Sequence, residues 1–155
     1  MHEAVLACRE ALGDQRADEL AALPESAALP HGTGRAWHAS PVSDMRSFAP
    51  EPDDEDGELL EGVTDRRLFF GHTHVQFRRT ARDGIELVNP GSIGMPTDGD
   101  HRAAYALLGD DGTVELRRVE YDWRGSAQAL RDRYGDADWV RTVAGRIEQA
   151  RFDPA

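Results

Sequence analysis

Lysine is absent from this chain of 155 residues, and all 18 basic side chains are arginine. Such uniformity reads as the nucleotide bias of a genome, although arginine also suits bidentate contact with phosphate. Cysteine occurs once, at Cys8, which excludes an intramolecular disulfide and favours the cytosol by default. It falls on the apolar face of the first expected helix, where it reads as a small core residue. No apolar run approaches the roughly 18 to 20 residues needed to span a bilayer, and no basic segment followed by an apolar one opens the chain. A soluble, unexported, cytoplasmic protein without membrane contact is expected. Positive charge is in deficit: 18 basic against 29 acidic residues leave a net charge of −11. That balance argues against binding to nucleic-acid backbones and anionic membranes. Hydrophobic residues make up 39% and charged residues 30%, enough for one core and not for two.

The pattern along the chain is helices, then strands with Gly-rich turns, then helices. Helical spacing covers residues 3–13 and 17–23, broken at Gly13 and ended near Pro24. Strands are expected at Ala27–Leu29 and Arg35–His38 around the turn His31-Gly32-Thr33-Gly34. A short helix near Glu58–Val63 precedes strands Arg67–Phe70, Val75–Thr80 and Ile85–Asn89, the last two joined through Ala81-Arg82-Asp83-Gly84. Ala103–Leu108 and Thr113–Tyr121 pair across Gly109-Asp110-Asp111-Gly112, and a change of phase between Leu116 and Val119 suggests a bulge. Helices over Ser126–Arg133 and Ala137–Phe152 follow, with Trp139, Val140, Val143 and Ile147 on one core-facing side. Residues 43–57 form an acidic, proline-punctuated loop, expected to be mobile. It lacks the ligand spacing of a calcium loop.

The chemistry is concentrated in Gly71-His72-Thr73-His74, directly after the apolar run Leu68-Phe69-Phe70. In extended backbone, side chains at i and i+2 share a face, so His72 and His74 can serve one site, with Gly71 supplying the freedom to leave the strand. Neutral imidazole is the commonest protein ligand for zinc, and suits manganese and iron. A third histidine closes a short apolar stretch in Trp37-His38-Ala39-Ser40-Pro41. A Pro-Gly turn follows a strand in Val88-Asn89-Pro90-Gly91-Ser92-Ile93-Gly94.

This ordered set, with Asp98 to Leu108 after it, resembles the calcineurin-like metallophosphoesterases, in particular small bacterial phosphodiesterase-type members. The resemblance implies an α+β fold, the four-layer α-β-β-α sandwich of that family. Residues 1–155 would be a single partial domain: one mainly antiparallel sheet with flanking helices, the first half of the fold being absent. It further implies a metal-dependent phosphoester hydrolase, with His38 and His72 binding one ion of a two-metal centre and His74 the other. Manganese, iron or zinc would fit, and the partner would be a small phosphate ester. The Asn89–Ser92 turn is assigned no chemistry.

The chain departs from the family at three motifs: no Asp-x-His, no bridging Gly-Asp on a strand and no Gly-Asn-His occur, Asn89 being the only asparagine. Gly13-Asp14 imitates the second but lies in a helical pattern. With three histidines and no bridging carboxylate, the chain alone should hold at most one ion, weakly, and turn over slowly or not at all. One apolar face would lack its partner layer, so self-association is expected. Two alternatives stand beside this reading. One is a non-catalytic interaction module on the same framework. The other is a single-metal cupin using His72, His74 and His101, which would place Arg78 and Arg79 where the metal wants an anion.

Overall fold

The computed structural model describes residues 2–81 and 84–152. Among them the order is α1 (His2–Leu12), α2 (Asp14–Ala21), β1 (Ser26–Ala28), β2 (Arg35–Trp37), α3 (Asp56–Leu59), β3 (Arg67–Phe69), β4 (Gln76–Thr80), β5 (Glu86–Pro90), β6 (Ala103–Leu108), β7 (Val114–Val119), α4 (Trp123–Tyr134) and α5 (Asp138–Gln149). The strands divide into a five-stranded sheet of order β1-β2-β3-β5-β4 and a two-stranded sheet of β6 and β7. Pairing is antiparallel for β1/β2, β4/β5 and β6/β7, and parallel for β2/β3 and β3/β5. The result is a mixed α+β fold, a sheet core with flanking helices. The turn expected at residues 81–84 lies partly outside the described residues.

β5 runs through the interior, with Leu87, Val88 and Asn89 all fully buried. An apolar strand of this kind fits a position flanked on both edges and covered on both faces. Leu68, Phe70, Phe77, Ile85 and Leu87 form one core cluster with Phe48, Leu59 and Leu60. The last three come from the segment between β2 and β3, which therefore covers one face of the sheet. The acidic stretch is anchored at both of its ends. Phe48 is 1% exposed, and Asp56 is 3% exposed with its carboxylate held by Arg79 through two bonds of 2.7 Å. Arg46 adds a bond of 2.7 Å to Glu58 and one of 3.2 Å to Glu55.

The two sheets are stapled by Gln76, whose Nε2 donates to Pro90 O on β5 and to Arg117 O on β7 at 3.1 and 3.0 Å. Gly91 sits where they approach. A Cβ there would lie 2.7 Å from that of Ala104 and 2.9 Å from that of Gln76, and its φ of +83° belongs to the left-handed region. Both facts require glycine.

The expected bulge in β7 is absent: the register with β6 is continuous from Ala103↔Val119 to Leu108↔Val114. Arg118 takes the inward position, bonded to Asp98 and Gln76, and Val119 is left 49% exposed. The apparent change of apolar phase was an inward arginine. The reading of Cys8 as a core residue is also corrected, because it is exposed. No residue of α1 or α2 is buried, and Val5, Leu6, Leu12 and Leu20 stand 42–60% exposed. The apolar stripe is real, but the contacts of α1 with α2 and α5 leave its large apolar side chains exposed. α4 and α5 behave as patterned: Ala127, Ala144 and Ile147 pack together with Trp123, Leu130 and Val143 around them. No helix among the described residues is long and apolar enough to cross a membrane.

Candidate metal centre

β2 and β3 are parallel neighbours, with Ala36 opposite Phe69, so their carboxyl ends emerge side by side. One end delivers His38 and the other Gly71 to His74. The Gly71 N–H donates to His38 O at 2.8 Å, carrying the pairing past the strand ends. His38 Nε2 then lies 3.2 Å from His72 Nδ1, with the rings edge to face at 80°. Two nitrogens bound to one ion at about 2.1 Å are separated by about 3.0 Å at a right angle and about 3.4 Å at a tetrahedral one. The observed spacing falls between these, so the pair fits a common cation as well as it fits a direct hydrogen bond.

The backbone that presents the histidines is not a strand. His72 and His74 both have left-handed φ, +64° and +59°, whereas Gly71 does not. The expectation that glycine carries the unusual geometry and that strand alternation aligns the imidazoles is therefore corrected. Left-handed backbone at a residue with a Cβ costs about 1–2 kcal/mol, and two such residues in three positions persist only where the surroundings impose them.

The surroundings here are Asn89 and Thr97. Asn89 is fully buried, and its Nδ2 donates to Gly71 O and to Thr73 Oγ1, both at 3.0 Å. Its Oδ1 accepts the Gly91 N–H at 2.9 Å. Thr97 Oγ1 donates to Thr73 O at 2.7 Å. Asn89 is thus a positioning residue, to which the motif reading assigned nothing. Its status as the only asparagine, inside an apolar strand, was the available signal.

His74 Nδ1 lies 2.8 Å from Met95 O. A carbonyl only accepts, so Nδ1 carries a proton and Nε2 is the nitrogen left to face a metal, the arrangement that orients metal-binding histidines. The pKa of His72 is pushed below the ordinary histidine value, first by burial and then by repulsion from His38 and His74. A backbone hydrogen bond to Met45 and the charge of Asp44 oppose this without reversing it. Neutral imidazole, the ligand form, is favoured. The structure thus joins His38 to His72 and sets His74 beside them on its own carbonyl. Among the described residues, no group of three or more His, Cys, Asp or Glu stands close enough to hold an ion by itself.

Other residues weighed in the sequence lie elsewhere. His101 stacks on Trp123 at 4.2 Å and donates from Nε2 to Glu148 O at 3.0 Å, away from the pair, which removes the cupin arrangement. Asp14 follows the break at Gly13 between α1 and α2 and pairs with Arg9 at 3.0 Å. His31 is a turn residue with φ of +57°. Two clefts flank the pair. One of about 700 Å³ is lined by His38, Trp37, Val42 and Asp44, and one of about 910 Å³ by His72, Met45 and Val75.

A mixed sheet that carries histidines on loops at the ends of parallel strands is the framework of a metallophosphoesterase. The chain belongs to the calcineurin-like phosphoesterase superfamily, whose domain description matches residues 9–111. The fold is similar to that of a metallophosphoesterase from Sphaerobacter thermophilus, with a TM-score of 0.74 at 22% identity over 91% of this chain and 63% of that one. It is also similar to the hypothetical protein PH1004 of Pyrococcus horikoshii, with a TM-score of 0.62 at 21% identity over 86% of this chain and 55% of that one. The uncharacterized protein MJ0912 of Methanocaldococcus jannaschii is 33% identical over 70 residues, 36% of this chain and 29% of that protein. The chain therefore spans less than two thirds of each of these relatives.

Proposed function

We propose that this chain carries the histidine side of a divalent-metal centre for phosphoester hydrolysis, with His38 and His72 sharing one ion and His74 directed to a second. The observation that supports it most is the 3.2 Å approach of His38 Nε2 to His72 Nδ1 at the ends of two parallel strands. Manganese, iron and zinc all suit such donors. A metal held there supplies Lewis-acid activation of water and neutralises charge on the phosphoryl oxygens. The chain's own contribution is orientation: Asn89 and Thr97 fix the turn, and Met95 O fixes the tautomer of His74.

The Asp-x-His, strand-borne Gly-Asp and Gly-Asn-His motifs are not among these 155 residues. We therefore propose that the chain corresponds to the C-terminal part of the family domain and that alone it binds at most one ion, weakly, with little turnover. Cobalt(II) serves as the probe, followed by calorimetry and by its visible absorption. The wild-type chain is expected to bind up to one equivalent, and His38→Ala or His72→Ala to weaken binding at least about tenfold, the size of effect seen even when a supporting partner of a ligand is lost. His101→Ala should bind as the wild type. Undiminished binding in both of the first two variants contradicts the assignment, and no binding by the wild type leaves the non-catalytic module.

A further inference from the structure

The 910 Å³ cleft is lined by His72 together with Met45, Val75, Thr97, Arg151 and Phe152. Arg151 is placed there by the backbone. Ala150 adopts a left-handed conformation that turns the chain after α5, Gly99 N–H donates to Ala150 O at 2.8 Å, and Arg151 bridges to Asp98. Asp98 would be the natural partner for its guanidinium, yet that carboxylate is already taken. It pairs with Arg118, and it accepts the Gln76 and Asp100 N–H groups at 3.3 and 3.4 Å. Among the described residues the Arg151 side chain makes no ion pair or hydrogen bond, so its donors stay free inside a cleft. Phe152 has the Arg146 guanidinium 4.2 Å from its ring centroid and remains 57% exposed. Its ring is held while a face stays open.

We propose that this cleft binds the organic group of the substrate and that the substrate is a phosphate ester bearing a flat aromatic group, aryl or nucleobase. Arg151 meets phosphate oxygens with its planar fork of donors, and Phe152 stacks on the aromatic ring, with Met45 and Val75 lining the apolar wall. Phosphorus lies toward His72, a placement that rests on the metal reading above. Arg151 supplies affinity for the phosphate and Phe152 the preference for an aromatic group, and neither is a metal ligand.

The test is binding to the whole chain, without metal, of inorganic phosphate, phenyl phosphate and adenosine 5′-monophosphate, measured by calorimetry. Phenyl phosphate or the nucleotide, or both, should bind at least about fivefold more tightly than inorganic phosphate, in line with a stacking contact. Phe152→Ala should abolish that advantage and leave phosphate affinity unchanged. Arg151→Gln should weaken every phosphate-bearing probe about tenfold. Both side chains are exposed, so neither substitution touches the core. Equal affinity for phosphate and both esters, an ester advantage that survives Phe152→Ala, or unchanged phosphate affinity in Arg151→Gln, overturns the proposal. Repeating the titrations with manganese separates the two readings. If the histidine assignment alone fails, the aromatic preference persists without tightening by metal; if the cleft assignment alone fails, metal tightens all probes equally.

Discussion

Asn89→Asp replaces one atom in the least exposed polar side chain among the described residues and reverses two of its three hydrogen bonds. The native amide donates to Gly71 O and Thr73 Oγ1 at 3.0 Å and accepts from Gly91 N–H at 2.9 Å. An ionised carboxylate keeps the last bond. It turns an acceptor toward the Gly71 carbonyl, which keeps only the Thr73 N–H at 2.8 Å, while the Thr73 hydroxyl can rotate to donate. One lost hydrogen bond at about 1 kcal/mol, plus about 1–3 kcal/mol for a buried ionised carboxylate facing a carbonyl oxygen, predicts a loss of about 3 kcal/mol at neutral pH. Burial and the facing carbonyl should raise the new carboxyl's pKa above its unfolded value, and the protonated form can donate to Gly71 O again. The defect should therefore be small below about pH 4 and grow as pH rises through the folded pKa. Urea unfolding of both chains at pH 5 and pH 8 measures it. A loss under about 0.5 kcal/mol at pH 8, or one that is no larger there than at pH 5, would refute the claim that Asn89 holds the histidine turn.

Asp56→Asn leaves the Arg79 guanidinium, 10% exposed, without its carboxylate, and should cost about 3 kcal/mol by denaturant unfolding; a cost under 1 kcal/mol would show the pair to be solvent-relaxed. At position 74, where φ is +59°, glycine should give a chain about 1 kcal/mol more stable than alanine does, and equal stability would contradict the left-handed backbone. Burial works to raise the Glu86 and Asp98 carboxyls, but Arg67 and Arg78 outweigh it at Glu86, and Arg118 at Asp98, leaving both below their ordinary values. Their stabilisation is present above the unfolded pKa, about 4, and is lost as pH falls below it. Glu86→Gln should flatten the acid limb of the unfolding curve, and an unchanged limb would count against the cluster.

The strands were readable because alternating and apolar runs bounded by Gly and Pro leave few other solutions, and β6 begins and ends where its pattern does. Their neighbours were not. Period-two alternation says which face a residue takes and nothing about which strand lies alongside, so the parallel joints that bring His38 to His72 had no signature of their own. Three misreadings share a cause. Cys8 lies on an apolar stripe yet is exposed, Arg118 looks like a phase change in β7 yet points inward, and Asp56 belongs to an acidic run yet is buried against Arg79. In each case a distant partner, or the lack of one, decided burial. The left-handed histidines belong here too: glycine is the residue that tolerates such backbone, and the turn places the conformation on its neighbours, where Asn89 and Thr97 can enforce it.

The proposed centre rests on one ion shared by two rings through particular nitrogens. Nitrogen-15 NMR of the histidine-labelled chain during zinc titration reads those atoms separately. The geometry predicts that His38 Nε2 and His72 Nδ1 shift together, at the same metal-to-protein ratio, while both nitrogens of His101 stay still. Shifts at only one of the two rings, or coordination of His72 through Nε2, would contradict it.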